Sequence, residues 1–207
     1  MFIKKLEAKM GKNKPILLEE IFDLFKDYSR VYVFKQLKKC EELGQIIKTQ
    51  RGVYYIPTNT ILGLSSLSSS DVVAKKYISN DNACFGVYGG IALLNYFGVT
   101  TQVPNTVIVI TNKESTRGRK ISINRIPFVI KKSRIEISKK NQAAYTIVQL
   151  FYELGKDELL NGRSLENVKK YVKDNSITKE ELIDVVMNFP NIVMKKMRAN
   201  GVFNYIA

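Results

Sequence analysis

The chain has 207 residues, 45% of them apolar, which is long enough for one large core or two small ones, and its 10% aromatic content excludes wholesale disorder. No apolar run approaches the ~20 residues of a membrane span, and the opening MFIKKLEAKMGKNKP lacks the apolar stretch of a signal peptide. A net charge of +14 implies a polyanionic partner, most simply nucleic acid, while the absence of any histidine removes the commonest general base and zinc ligand.

Residues 1–57 carry 12 basic and 7 acidic side chains. Ile3, Leu6 and Met10 share one helical face, which Gly11 ends. Pro15 stands at the start of a second helix, PILLEEIFDLF, where Leu18, Ile21, Phe22 and Phe25 follow the i, i+3, i+4, i+7 spacing of a buried stripe. KDYS makes a turn with Ser29 as N-cap. The third helix, RVYVFKQLKKCEELG, has an apolar arc of Val33, Phe34, Leu37, Cys40 and Leu43 and stops at Gly44. Two short strands follow, QIIKT and GVYYIP, with Gln50-Arg51-Gly52 as the tight turn. Three helices and a hairpin in this order predict a winged helix-turn-helix, with the third helix in the major groove of DNA.

The face of that helix opposite its core holds Val31, Tyr32, Lys35, Lys38 and Lys39, with Arg30 at its start. Lysines meet phosphates or guanine acceptors, and a tyrosine bonds a phosphate or packs on a thymine methyl. Lys48 and Arg51 add charge at the wing. The competing reading of the same lysines is a solvated helix face.

TNTILGLSSLSSS, residues 58–70, is uncharged and rich in Ser and Thr, and reads as a linker. Ser70 is the expected N-cap of DVVAKKYI, and residues 71–207 form a second, mixed α/β domain. The fold class is therefore α+β.

The stretch from 58 to 140 is the most basic, with 12 cationic and 4 anionic residues. It contains GVYGGIALLNYFGVTTQVPNTVIVITN, which is similar to the start of a nucleotidyltransferase: Gly89 and Gly90 before a helix, then a strand. A magnesium site there needs two or three converging carboxylates, yet no Asp or Glu lies between Asp81 and Glu114. The pattern therefore reads as close packing at Gly89 and Gly90, with Ile91, Leu94 and Phe97 as a core stripe, Gly98 as the C-cap, and NTVIVITN as a strand buried on both faces. RIEISKK comes nearest to a nuclease motif, but Glu136 and Lys139 have the wrong spacing and Glu136 lacks an acidic partner. KESTRGRK and ISINRIPFVIKK predict a hairpin whose tip carries Arg117, Gly118, Arg119 and Lys120, further candidate contacts to nucleic acid. Arg125, Lys131, Lys132 and Arg134 extend the basic character.

From 141 onward, 9 basic and 8 acidic residues nearly cancel. NQAAYTIVQLFYELG is an amphipathic helix with Ala144, Ile147, Val148, Phe151 and Leu154 on one face. TKEELIDVVMNFP opens with the capping pair Thr178 and Glu181, buries Leu182, Val185, Val186 and Phe189, and ends at Pro190. A last helix runs from about Asn191 to Ala199. Cys40 and Cys84 sit in apolar patterns as reduced core thiols. No metal site, catalytic residue or cofactor is expected, nor a membrane-bound role.

RGVYYIP, KYI and LLNYFGVTTQVPNTVIVITN together resemble the AbiEi-type antitoxins of bacterial type IV, or abortive-infection, toxin–antitoxin systems, over residues 15–150. GVTTQVPNTV is the most specific part. The resemblance implies a cytoplasmic autorepressor that binds repeats in its own promoter through the winged helix. It also implies a second domain that counteracts a partner nucleotidyltransferase toxin without a stable complex. The alternative is a winged-helix transcriptional regulator with a sensing C-terminal domain and no toxin partner. A nucleic-acid enzyme is the third reading, which the missing carboxylates oppose.

Overall fold

The computed structural model describes residues 2–61, 63–156, 158–204 and 206; Leu62 of the expected linker lies outside them. The fold is α+β, with a helix-rich N-terminal part followed by a four-stranded sheet and its helices. It divides into two units, Met1–Lys76 together with Ile123–Arg125, and Tyr77–Ser122 together with Ile126–Ala207.

In the first unit, α1 (Phe2–Met10) buries Phe2 and Leu6. The expected helix from Pro15 starts later. Ile16–Leu17 form a short strand, β1, and α2 spans Leu18–Leu24. Local spacing favours helix here, but Ile16 and Leu17 pair with Tyr54 and Val53 of β3 (Val53–Tyr55), and both side chains are buried by it. Glu20 then accepts the Leu17 N–H at 2.9 Å and caps α2.

The third helix, α3 (Arg30–Glu42), starts as its sequence predicts, with Tyr32 N–H donating to the Ser29 hydroxyl at 3.2 Å. It ends before Gly44, whose φ of +67° suits the left-handed position past a helix end. Val33, Leu37 and Cys40 are its buried face. Phe34 and Leu43, expected in the same arc, are 48% and 61% exposed. They sit toward the flanks of that face, and Phe34 meets the Phe22 ring edge-on. β2 (Ile47–Gln50) pairs antiparallel with β3 through a bulge between Lys48 and Gln50, giving the sheet order β1-β3-β2. Gln50 is part of the strand, and the turn is Arg51–Gly52.

The stretch expected as a linker carries structure of its own. β4 (Asn59–Thr60) and β5 (Gly63–Leu64) pair, Tyr55 donates its hydroxyl to Ser65 O at 2.8 Å, and Asn13 Nδ2 donates to the Thr58 hydroxyl at 2.7 Å. The following helix, α4 (Ser69–Val73), is capped by Ser68, so Ser70 lies inside it. Lys75 pairs with Glu20 at 2.7 Å, so the chain stays with the first unit as far as Lys76. Ser69 and Asn124 hold the turn at 123–125 by bonds to Ile123 O and Leu67 O.

In the second unit, β6 (Gly86–Gly89) runs antiparallel to β7 (Val107–Thr111), and β7 runs parallel to β9 (Ile126–Lys132), which also pairs with β8 (Arg119–Ile123). The order β6-β7-β9-β8 corrects the expected hairpin. β8 and β9 form it, and its turn is Asn124–Arg125. Arg117 and Gly118 lie in the crossing from β7, and Arg119 and Lys120 begin the edge strand. β7 is paired on one edge with β6 and on the other with β9, so no edge is left for β8, and the chain after Thr111 passes the β9 position before β8 begins.

α5 (Gly90–Tyr96) buries Leu93, with Phe97 just beyond it, whereas Ile91 is 40% exposed. α6 (Gln142–Glu153) is the centre of the core. Ala144 to Phe151 are all buried, and α7 (Gly162–Asp174), α8 (Lys179–Val186) and α9 (Asn191–Ala199) pack around it. Thr178 and Glu181 form the expected reciprocal cap of α8.

Candidate nucleic-acid interface

With 3.6 residues per turn, the buried positions Val33, Leu37 and Cys40 fix the opposite side of α3, and Val31, Lys35, Lys38 and Glu42 fall there, flanked by Tyr32 and Lys39. All six are exposed. The amphipathic pattern therefore does two things at once: it anchors the helix by three side chains and leaves its cations in solvent. Among the described residues, the ammonium groups of Lys35 and Lys39 have no ion pair or hydrogen bond. Lys38 faces Glu42 at 3.9 Å, with both side chains largely exposed, an i,i+4 contact worth a few tenths of a kcal/mol that a phosphate displaces readily.

Tyr32 does not stand alone. Its ring stacks on Tyr28 at 4.9 Å with planes 17° apart, and Tyr28 in turn meets Phe25 edge-on. That column fixes the tyrosine's direction at little entropic cost. Arg30 is less available, because its guanidinium lies 5.2 Å over the Phe22 ring. Lys48 is exposed on β2, and Arg51 is exposed in the turn, where its carbonyl accepts from Lys76 Nζ at 3.2 Å. The first unit thus holds Arg30, Tyr32, Lys35, Lys38, Lys39, Lys48 and Arg51 on one helix and the adjoining hairpin. A helix wheel of α3 does not show the Tyr28 stack, because Tyr28 lies in the turn before the N-cap Ser29, outside the helix.

Arg117, Arg119 and Lys120 belong to the second unit, and they differ from one another. Arg117 and Lys120 are exposed. Arg119 donates from Nε to Glu114 Oε2 at 2.9 Å, and its other end reaches the Tyr77 hydroxyl at 3.5 Å. Glu114 is only 6% exposed. Burial pushes its carboxyl up, but the Thr116 amide, the Arg119 guanidinium and the Thr116 hydroxyl together outweigh burial and hold it at about 2. Arg119 is a structural cation: its charge neutralises a buried carboxylate.

The Gly89–Gly90 corner is a packing device. A Cβ on Gly89 would stand 3.0 Å from Ile108–Ile110 side chains at its nearest, Ile110 Cδ1, and one on Gly90 would stand 2.8 Å from Ile108 Cδ1. The backbone of Gly90 also has φ +61°. Val109 is fully buried and Ile110 nearly so, on opposite faces of β7, as a central strand requires. At its end, Thr111 donates its hydroxyl to Phe85 O, and Asn112 accepts from Ile137 N–H and donates to Ile137 O, so both polar residues tie chain to chain. The carboxylate nearest Gly89 comes from α6: Glu153, which accepts from Gln149 Nε2 at 2.7 Å. Among the described residues, no three His, Cys, Asp or Glu side chains gather as a metal site, and no helix is long and apolar enough to cross a membrane. Burial pushes the Cys40 thiol up, and no disulfide links Cys40 to Cys84.

A search of curated proteins gave no match to the chain. The model of a family of unknown function, DUF6088, matches residues 5–181, from the first turn of α1 into α8, so that it takes in α3, the β2–β3 hairpin and the sheet of the second unit. The chain belongs to that family.

Proposed function

We propose that the protein is a cytoplasmic, non-enzymatic regulator that binds duplex DNA through the first unit as a winged helix, with α3 as the reading element. One observation carries this reading. Lys35 and Lys39 project from the side of α3 opposite Val33, Leu37 and Cys40 and have no carboxylate partner among the described residues. The order helix, strand, helix, helix, hairpin, with the sheet order β1-β3-β2, supports it, because it places a two-stranded wing directly after the reading helix. The resemblance to AbiEi-type antitoxins extends the proposal. The DNA is then the protein's own promoter, and the second unit counteracts a nucleotidyltransferase toxin encoded beside it, without a stable complex.

A second reading has its own observation. The second unit has an open cleft lined by Tyr96, Phe97, Arg163, Asn167, Lys170, Tyr171 and Asp174, with aromatic rings beside two cations and one carboxylate. Such a cleft suits a small ring-bearing effector of mixed polarity, and it supports the alternative of a regulator with a sensing domain and no toxin partner. The deciding experiment has two arms. Full-length protein is titrated with duplex from its own upstream region and with an unrelated duplex of equal length. Growth is then followed when the adjacent gene product is expressed with and without this chain. Tighter binding to the upstream duplex together with growth rescue supports the antitoxin. Selective binding without rescue supports the sensing regulator. Equal, weak binding to both duplexes contradicts the DNA-binding reading itself.

A further inference from the structure

The leading end of α3 is chemically odd for a cationic helix. Its second residue, Val31, is 77% exposed. Beside it stand Tyr32, 40% exposed, and the Tyr28 ring that Tyr32 stacks on. The guanidinium of this turn, that of Arg30, lies over Phe22, and a fork held there is not free to grip O6 and N7 of guanine. No Asn, Asp or Glu occurs from Arg30 to Gln36, and Gln36 itself is half-buried. The adenine-reading and cytosine-reading side chains are therefore missing from the turns that a helix-turn-helix protein inserts deepest. Lys35, Lys38 and Lys39 follow as point charges suited to phosphates.

A β-branched side chain exposed ahead of a lysine cluster has one partner of matching chemistry in the major groove, the C5-methyl of thymine. We infer that Val31 is a specificity-determining residue that reads a thymine methyl, with Tyr32 held beside it by Tyr28. This rests on the proposal that α3 enters the major groove. The bound site carries thymine where the leading end of α3 docks, and the protein discriminates thymine from uracil there. The apolar contact of one methyl corresponds to about a fourfold difference in affinity.

The test uses the full chain. A duplex is selected from a randomised library, and its affinity is compared with that of the same duplex bearing uracil at single thymine positions, for wild type and for Val31→Ala. Val31 lies in solvent, so the variant keeps the core of α3, and a thermal melt confirms its fold. The expected result is about fourfold weaker binding of wild type at one uracil position per site, and loss of that difference in Val31→Ala. A Lys35→Ala control weakens thymine and uracil duplexes equally. Wild type that binds both duplexes alike overturns the inference while leaving the DNA-binding reading intact, as does a Val31→Ala variant that still discriminates. If no duplex is selected at all, the DNA-binding reading fails and the inference falls with it.

Discussion

Two cationic stretches, the outer face of α3 and the segment from Glu114 to Lys120, look alike as sequence and differ in what their charges face. Lys35 and Lys39 look out from a helix whose carboxylate on that side, Glu42, sits by Lys38. Arg119 looks onto Glu114, a carboxylate that is nearly inaccessible and held at about 2 by the groups around it. A basic residue is available to a polyanion only when the fold has not already given it a buried anion. Counting cations along the chain misses this, because Glu114 is five residues from Arg119 and its burial depends on a strand order that local pattern does not encode.

The largest effect of a substitution concerns the apolar strand that the Gly-Gly motif precedes. Val109→Asp puts a carboxylate at a fully buried position in β7, and the mutant should lose ~4 kcal/mol or more in urea unfolding. A mutant as stable as wild type would show a polar pocket where the account has packing.

Next is Glu114→Gln. The folded carboxyl lies below its ordinary value of 4.5, at about 2. The ionised form therefore stabilises the fold above pH ~4.5, and that stability is lost as the pH falls toward ~2. The Arg119 side chain that holds the carboxyl down is half in solvent, so after screening the shift corresponds to about 1–2 kcal/mol at neutral pH. Denaturation at pH 7 should show a loss of that order in the variant, and the gap to wild type should close across the window from 4.5 down to about 2. A gap that stays constant with pH would mean that shape, not charge, matters at this position.

An effect of the same order is expected at Gly90→Ala. The positive φ and the approaches of 2.8 Å to Ile108 Cδ1 and 3.3 Å to its Cγ1 both oppose a side chain, although the nearer atom is the far end of a flexible side chain. The loss should be about 1–2 kcal/mol, mostly from the left-handed backbone. Thermal unfolding measures it, and a stabilised variant would contradict the close-packing account.

Local pattern made much of the fold legible. The stripes of α6 and α8, the Ser29 and Thr178 caps and the stop at Gly44 all follow from spacing and side-chain chemistry within a few residues. What escaped depends on partners distant in the chain. Ile16 and Leu17 read as helix until Tyr54 and Val53 supply a strand. Arg119 reads as a hairpin tip until β9 inserts between β7 and β8. The uncharged 58–70 stretch reads as a linker because its bonds run to Asn13 and Tyr55, outside any local window. α7 is a different kind of miss. Leu165, Val168, Tyr171 and Val172 carry a helical period in GRSLENVKKYVKD, and the pattern was there to be read. For the candidate interface, the lysines and Tyr32 were legible from one helix wheel, whereas the Phe22 ring beneath Arg30 was not.

The central claim is that α3 meets DNA through Lys35 and Lys39, and the salt dependence of binding tests it most directly. Affinity for the upstream duplex is measured over a series of salt concentrations for wild type and for Lys35→Ala/Lys39→Ala. If these lysines meet phosphates, the double variant keeps its melting temperature, binds more weakly, and has a log–log slope shallower by about 0.9 for each phosphate contact removed. A folded double variant with the affinity and slope of wild type would contradict it.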